Sequence, residues 1–217
     1  MKLLLSVFLA AAIPSSAGIL FSDLGTGGSV YGTGAGSVIQ GQPGSNVTNA
    51  RAFTVAGAGA FNLTQFDLGV VEDHNGVSSF FLNTFTASIW TGGTQPGAKL
   101  GSWSLSANEP NGSCCVLASQ TGITGITLTG GTQYFMVLGP DAPNDGSKIE
   151  WEDNTTGAIT NEVGSVNGGA SWIVGSSITN AAFDVQGDPV STPEPGSLPL
   201  LGSGMAGLLA ALRRKAL

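Results

Sequence analysis

The one histidine of the chain, His74, is the first candidate for metal binding or acid–base catalysis, and it lies in the run Glu72-Asp73-His74-Asn75-Gly76. Carboxylates beside a histidine can bind a metal ion, but no second histidine exists to complete the usual zinc ligand sets. No Gly-x-Ser-x-Gly motif marks a catalytic serine, and composition alone leaves a triad that uses His74 open. Because Asn-Gly is a typical turn signal, we interpret His74 as a solvated loop residue.

Two acidic segments, Asp141–Gly146 and Glu150–Asn154, are the next candidates. Calcium prefers several oxygen ligands, but neither segment has the spacing of an EF-hand loop. We interpret Asp145-Gly146 as a turn, and Glu150 and Glu152 as the outward face of a strand. Calcium stays an open alternative and no cofactor is predicted. Because no recognisable catalytic site emerges, we predict that the chain is not an enzyme, with a carboxylate-dependent hydrolase as the least favoured alternative.

Four tryptophans, Trp90, Trp103, Trp151 and Trp172, are residues that can stack on sugar rings. Each lies in a segment that is predicted as a strand, where an aromatic side chain ordinarily belongs to the core. A carbohydrate-binding function for extracellular polysaccharide therefore requires that some of them be exposed. This carbohydrate-binding function is the alternative to surface display alone.

The composition predicts one β-rich domain together with processing segments. The chain has 217 residues, of which 34 are glycine, 41% are hydrophobic and only 10% are charged, a balance that favours turns and strands over helices. Between Gly18 and Pro195, fourteen acidic residues face only Arg51, Lys99 and Lys148, a formal charge of −11. Such a surface repels phosphate backbones, so nucleic-acid binding is excluded.

The N-terminus has the three parts of a secretory signal peptide. Lys2 precedes an apolar run from Leu3 to Ile13, and small residues end at Ala17. A run of about eleven residues extends only about 16 Å as a helix, too short for a hydrocarbon core of about 30 Å. We predict removal of residues 1–17 by signal peptidase. The alternative is a buried N-terminal strand or helix.

The C-terminus carries a proline-containing triplet, an apolar stretch and a basic cluster: Pro193-Glu194-Pro195, Leu198–Leu212 and Arg213-Arg214-Lys215. This order resembles the PEP-CTERM sorting signal of Gram-negative bacteria that make extracellular polysaccharide. The resemblance implies a partner, an exosortase, which is a membrane-embedded cysteine transpeptidase that cuts near the triplet. It describes how the chain is routed and not what the rest of the chain does.

The physical properties of the tail agree with temporary membrane retention. The stretch from Leu198 to Leu212 extends about 22 Å as a helix, which makes it a marginal anchor. Its apolar contacts with the membrane come mainly from leucines, namely Leu198, Leu200, Leu201, Leu208, Leu209 and Leu212. Arg213, Arg214 and Lys215 favour the cytoplasmic side, which leaves the acidic domain outside. An amphipathic core helix is the disfavoured alternative, because the stretch is apolar all round.

Cys114 and Cys115 are adjacent and are the two cysteines of the chain. Exported proteins ordinarily pair their thiols, so a vicinal disulfide is favoured although neighbouring Cα atoms lie closer than in most disulfides. The alternative is two reduced thiols that point to opposite faces of a strand edge.

Segments rich in β-branched and aromatic residues recur between turn signals and predict about ten short strands. These segments are 50–55, 61–71, 83–90, 99–105, 115–119, 125–128, 133–138, 148–153, 171–174 and 181–186. Apolar positions change parity between Leu63 and Phe66, which predicts a bulge near Thr64 and Gln65. Any strand within 18–49 is expected to be short and peripheral.

The fold predicted from this spacing is all-β, an antiparallel β-sandwich of jelly-roll type, flanked by the signal peptide and a C-terminal hydrophobic helix. The expected parts are a signal peptide at 1–17, a Gly/Ser-rich segment at 18–49, the sandwich at 50–187, a linker at 188–197 and the sorting helix with its basic tail at 198–217. Four motifs resemble β-sandwich ectodomains that are joined to interchangeable surface anchors. They are 95–100, 128–135, Trp151 and 182–185.

These features together predict an exported cell-surface or extracellular-matrix protein with a non-enzymatic ectodomain. Its expected location is the membrane, through the C-terminal helix, and then the cell surface or the medium. Its expected partners are signal peptidase, an exosortase-like transpeptidase, the membrane before processing, and in the alternative a polysaccharide.

The cleavage site of the signal peptide can be read directly. Because signal peptidase needs small residues before its cut, the exported protein is expected to begin at Gly18. N-terminal sequencing of protein recovered from outside the cell measures this, and an N-terminus at Met1 would contradict the prediction.

Overall fold

In the computed structural model, which describes residues 17–25, 30–73, 82–110 and 112–190, every regular element is a β-strand. The strands are β1 (Gly18–Ser22), β2 (Gly36–Gln42), β3 (Ser45–Thr54), β4 (Ala60–Leu68), β5 (Val70–Glu72), β6 (Thr84–Gly92), β7 (Pro96–Ser106), β8 (Ala118–Thr121), β9 (Thr127–Thr129), β10 (Gln133–Gly139), β11 (Lys148–Glu152), β12 (Ile159–Ser165), β13 (Ile173–Thr179) and β14 (Phe183–Pro189). The all-β prediction is confirmed.

The described strands form two antiparallel sheets. The smaller sheet has the order β1-β14-β4-β8, with β9 also paired to β4. The larger sheet has the order β5-β11-β2-β3-β10-β6-β7, and β12 joins it through β3 while β13 pairs with β12. The predicted antiparallel sandwich is therefore confirmed.

The core lies between the two sheets, and strands such as β6 direct every second side chain into it. On β6, Phe85, Ala87 and Ile89 are buried as their alternation with polar residues predicts. They pack in one cluster with Trp151 on β11 of the same sheet and Phe183 on β14 of the smaller sheet. Each fully buried large side chain of this kind stabilises the fold by roughly 1.5–3 kcal/mol.

The predicted bulge lies on β4, where it meets β14. Gln186 is opposite Gln65, but the next residue, Gly187, is opposite Leu63, so Thr64 is the extra residue. The bulge lets Leu63 and Phe66 both face the core although their spacing is odd.

Strand β2 is not peripheral, and this expectation was wrong. It lies between β11 and β3 inside the larger sheet. Two of its glycines have a packing role, because a Cβ on Gly36 would collide with the Trp151 carbonyl and a Cβ on Gly41 with the Asp145 carboxylate. A glycine content that suggests a loop is here a condition for close packing within a sheet.

The predicted processing segments lie largely outside the described residues. These are residues 1–16 of the signal peptide, the triplet at 193–195 and the hydrophobic stretch at 198–212. Ala17 is exposed and directly precedes β1. Within the described ranges, no helix has the length and hydropathy to cross a bilayer.

The outer face of the smaller sheet holds a buried pair of carboxyl groups. Asp67 on β4 lies opposite Asp184 on β14, and both are buried. Asp67 accepts hydrogen bonds from Gln65 at 2.8 Å, from Gln186 at 3.0 Å and from the Ser119 hydroxyl. Burial, and then the charge of Asp67, raise the pKa of Asp184 to about 7.

This pair predicts a pH-dependent stability. The pKa of Asp184 rises from 3.8 to about 7 on folding, so its contribution to stability is present below about pH 4 and is lost as the pH rises through about 7. Asp184→Asn should therefore stabilise the fold at pH 8.5 by on the order of 2 kcal/mol, and stabilise it less or not at all at pH 4. Urea unfolding at both pH values measures the difference.

Glu162→Gln is the matched control, because Glu162 is an exposed carboxylate on β12. Its charge favours the buried Arg51 guanidinium, so its removal should destabilise the fold slightly at pH 8.5, the opposite sign to Asp184→Asn. A destabilised Asp184→Asn variant at pH 8.5 would contradict the assigned protonation.

Candidate binding groove

A groove of about 670 Å³ lies on the outer face of the larger sheet. Its floor is made by Ser88 on β6, Val137 and Gly139 on β10, and Thr48 on β3. Ser88 is directly opposite Val137 in the β6–β10 ladder, and a Cβ at Gly139 would come within 2.7 Å of the Thr48 hydroxyl. The small residues Ser88 and Gly139 therefore leave the space above this part of the sheet open.

Alternation on β6 supplies one side of the groove. Thr86, Ser88 and Trp90 face outward, because the residues that alternate with them face the core. The core-facing residues are Phe85, Ala87 and Ile89. On β7, Ser102 lies opposite Ser88, and a bulge at Leu100 brings Lys99 opposite Trp90. All five side chains line the groove.

One wall of the groove is a pair of tryptophans. Trp90 and Trp172 contact each other edge to face, with ring centroids 6.0 Å apart and planes at 83°, a favoured aromatic geometry. The Trp90 indole N–H donates to the Ser88 hydroxyl at 2.8 Å, and the Lys99 ammonium lies 5.1 Å from the Trp90 ring centroid. The orientation of Trp90 is thus held on several sides.

Trp172 is held by the loop that connects β12 to β13. Asn167 braces this loop, because its Oδ1 accepts from the Ser165 hydroxyl at 2.7 Å and from the Ser171 N–H at 3.0 Å. Its amide also donates to the Ser171 hydroxyl at 2.8 Å. Gly168 and Gly169 follow with φ of 69° and 86°, which a glycine adopts at low cost.

The opposite wall carries one carboxylate, Asp141. Its two oxygens accept hydrogen bonds from the hydroxyls of Thr86 at 2.7 Å and Ser104 at 2.9 Å. Asp141 is exposed, and each carboxylate oxygen still has a lone pair for a further donor. A ligand hydroxyl can therefore add to this site without displacing either bond.

Asp145 shapes the loop that presents Asp141. Its carboxylate accepts from the N–H groups of Ala142 at 3.0 Å and Ser147 at 2.8 Å. Partial burial acts to raise the pKa of Asp145, but these N–H groups outweigh it and the pKa is lowered. Asp145 therefore has the turn role that the sequence indicates.

The four tryptophans divide into two pairs. Trp90 and Trp172 line the groove, whereas Trp151 is fully buried and Trp103 packs against Phe66 at a centroid distance of 5.2 Å. Sequence reasoning named all four but could not separate them, because all four are flanked by strand-forming residues. Trp172 lies just before β13 and not inside a strand.

The groove brings together one residue that the sequence offered for binding and one that it did not. Asp141 was a candidate calcium ligand, whereas nothing in the sequence marked Asn167 as a binding residue. Asp141 lies in the loop after β10, and Asn167 lies in the loop after β12. The sequence indicates that both are loop residues, but the strand order decides which loops meet on one face of the sheet.

The second acidic segment lies elsewhere and has structural partners. Asn154 Oδ1 accepts from the N–H groups of Thr156 at 2.8 Å and Ala158 at 3.2 Å. The sequence predicts an outward position for Glu152, but its side chain is fully buried. Burial, followed by the charge of Glu150, raises its pKa to about 7, although nearby backbone N–H groups lower it. Within the described residues, no three His, Cys, Asp or Glu side chains are grouped to hold a metal ion. His74 lies outside those residues.

The vicinal cysteines lie on a loop that covers Tyr31, away from the groove. The sulfur atoms of Cys114 and Cys115 are adjacent, and the peptide bond between them is cis. The Tyr31 hydroxyl donates to the Val116 carbonyl at 3.4 Å, and Cys115 packs beside buried Tyr31 and Val71. The disulfide itself stays a prediction.

One part of the chain matches a known family. Residues 191–215 match the PEP-CTERM protein-sorting motif. The match includes Pro193, Glu194 and Pro195 and the basic residues 213–215. No curated protein matches the chain.

The redox state of the cysteine pair can be measured. If the pair is oxidised, unreduced exported protein treated with iodoacetamide should gain no alkyl groups, and reduction should allow two. Intact-protein mass spectrometry reads both states, and two alkylated thiols without reduction would rule the disulfide out.

Proposed function

We propose that the chain is a non-enzymatic, surface-displayed protein whose ectodomain binds polysaccharide in the groove bounded by Trp90, Trp172 and Asp141. The PEP-CTERM motif at residues 191–215 supports an exported protein that an exosortase sorts. What the ectodomain does once it is outside the cell is argued from the groove.

The observation that carries the binding proposal is a half-buried tryptophan pair that lines the groove opposite a hydrogen-bonding wall. Sugars present apolar C–H faces and a rim of hydroxyls, so they are recognised by aromatic planes together with oriented polar groups. The groove offers the Trp90–Trp172 pair on one side and the oriented Asp141 carboxylate on the other. Ser88, Ser102 and Asn167 add hydroxyl and amide groups between them.

The residues that line the groove favour glycan binding over glycan hydrolysis. A glycosidase ordinarily uses two carboxyl groups on either side of the scissile bond. Among the described residues that line the groove, Asp141 is the single carboxylate, and both of its oxygens already accept hydroxyl hydrogen bonds. The groove lining can hold a polysaccharide, but it has no pair of carboxyl groups for acid–base catalysis.

The charge of the ectodomain narrows the ligand to neutral or weakly charged glycans. A segment with a formal charge of −11 repels a dense polyanion. Lys99 is the one basic residue of the groove lining, and its ammonium lies over the Trp90 ring. We therefore favour hydroxyl-rich sugars over uronate or sulfate polymers.

The proposed export and sorting route carries this groove to the cell surface, where extracellular polysaccharide is present. In this scheme signal peptidase cuts after Ala17, the stretch 198–212 retains the chain in the membrane, and the exosortase acts near 193–195. The groove then faces the cell surface or the surrounding matrix. The polysaccharide of the producing cell is the ligand that such a route makes available.

The groove residues predict the outcome of a glycan-binding experiment with the exported protein. Trp172→Ala should weaken binding to the recognised neutral glycan at least about tenfold, since an aromatic anchor at a binding hot spot contributes roughly 2 kcal/mol or more. Asp141→Asn should weaken it by a smaller factor, because one charged acceptor becomes a neutral one. A glycan array identifies the ligand, and calorimetry gives the affinities.

Trp172→Phe and Ile19→Ala are the controls. The first keeps an aromatic plane in the groove, and the second removes an exposed apolar side chain on β1, outside the groove. Both should retain most of the affinity. If no glycan on the array binds, the binding proposal is overturned. The remaining function would then be surface display without a sugar ligand.

A further inference from the structure

The groove crosses the strands of the larger sheet. Its floor contains a row of outward-facing residues on neighbouring strands, in which Ser102 on β7 lies opposite Ser88 on β6, and Ser88 lies opposite Val137 on β10. The row continues to Ala50 on β3, which lies opposite Val137. A ligand that follows the floor therefore passes from β7 towards β3.

The open floor ends at β3. Ala50 and its neighbour on β12, Val163, are buried although they belong to the same outward-facing cluster as Val137. Trp172 packs on this cluster. Ser165, two residues further along β12, is also buried, and its hydroxyl accepts from the Gly169 N–H at 2.8 Å. The loop between β12 and β13 therefore rises over the sheet at this point.

Hydrogen bonds join the two walls of the groove at the same end. The Asn46 side-chain oxygen accepts from the Asn144 N–H at 2.8 Å, and the Asn46 carbonyl accepts from the Gly168 N–H at 3.2 Å. Asn144 belongs to the loop that presents Asp141, and Gly168 belongs to the loop that holds Trp172. Because both loops are tied to the start of β3, a polymer chain cannot continue between them.

The other end of the groove is open at β7. Among the described strands, β7 is the last one on this side of the larger sheet. Lys99 and Ser102 line the groove here, and both are exposed. A chain that lies in the groove therefore leaves the protein over β7.

We propose that the groove recognises the terminus of a neutral glycan chain and not an internal run of its sugars. This inference rests on the proposed glycan-binding function and names the part of the polymer that is bound. The terminal sugar lies at the closed end beside Asn46, and the sugars that follow lie over Ser88 and leave over Ser102. A terminal sugar has a free hydroxyl where an internal sugar carries its next glycosidic bond, so a groove with one closed end fits the terminus alone.

The polar groups at the closed end suit a terminal sugar. Asn46 and Thr48 line this end, and an amide and a hydroxyl both donate and accept hydrogen bonds, as a sugar hydroxyl does. The charged residues of the described lining lie towards β7, because Lys99 belongs to that strand and Asp141 accepts from Ser104 on it. The closed end therefore offers partners for the extra hydroxyl without a charge that must lose its hydration.

The number of chain ends tests this inference with the wild-type exported protein. The probe is neutral extracellular polysaccharide purified from the producing cell, used intact and after partial acid hydrolysis that raises the number of chain ends. If termini are bound, about ten times as many ends should let about one-tenth of the mass of glycan saturate the protein. Isothermal titration calorimetry measures the saturating mass.

The outcomes of this titration are distinguishable. If the hydrolysate saturates the protein at the same mass as the intact polymer, or at a larger mass, recognition of a terminus is overturned and glycan binding stands. If neither preparation binds, the proposed glycan-binding function is itself overturned, and this inference fails with it. Borohydride opens the ring of the reducing-end sugar, so loss of binding after reduction assigns the reducing terminus and retained binding assigns the other.

Two variants at opposite ends of the groove give a second test, which uses fragments of graded length. Asn46→Asp keeps the acceptor for the Asn144 N–H but removes the amide donor, so it should weaken binding of every fragment by a similar factor of about five. Ser102→Ala, at the open end, is the matched control and should weaken only fragments long enough to reach β7. The same dependence on fragment length for both variants would contradict a fixed terminal register.

Discussion

The two-residue period of the central strands is the constraint on which the rest of the structure depends. On β6, Phe85, Ala87 and Ile89 fill the core between the sheets, while Thr86, Ser88 and Trp90 face outward into the groove. A shift of one residue would exchange the two sets and lose the core and the groove together. The stability of the fold and the shape of the groove are therefore set by one alternation.

Several charged groups lie inside this fold. Arg51 is fully buried on β3, donates to the Ala50 carbonyl at 3.2 Å and to the Ser37 hydroxyl, and lies 5.7 Å from the Trp151 ring centroid. Burial lowers its pKa to about 10, although the charges of Asp153 and Glu162 oppose this. For Asp184 and Glu152 burial acts in the opposite direction and raises the pKa. Low dielectric surroundings disfavour the charged form of either sign, so the contributions of Asp184 and Glu152 to stability are lost as the pH rises through about 7.

Trp172 connects the groove with the free sheet edge. The loop braced by Asn167 places its ring against Trp90, and the chain then enters β13 directly. The residues that hold the groove wall also determine where the edge strand begins. The tail that matches a sorting motif is a separate part of the chain.

The sequence by itself determined the features that depend on local chemistry. Strand-forming runs, the bulge at Thr64 and the sorting motif at 191–215 follow from residue order alone, because a β-strand or a recognised linear signal is specified by neighbours in the chain. The interior place of β2 was missed because glycines such as Gly41 are needed for contacts with residues distant in sequence. The same limit applies to the tryptophans: only the order of the strands decides that Trp90 and Trp172 meet in the groove, while Trp151 is buried in the core and Trp103 packs against Phe66. Which residues become neighbours across a sheet is a property of strand pairing, and strand pairing is decided by the packing of the whole chain.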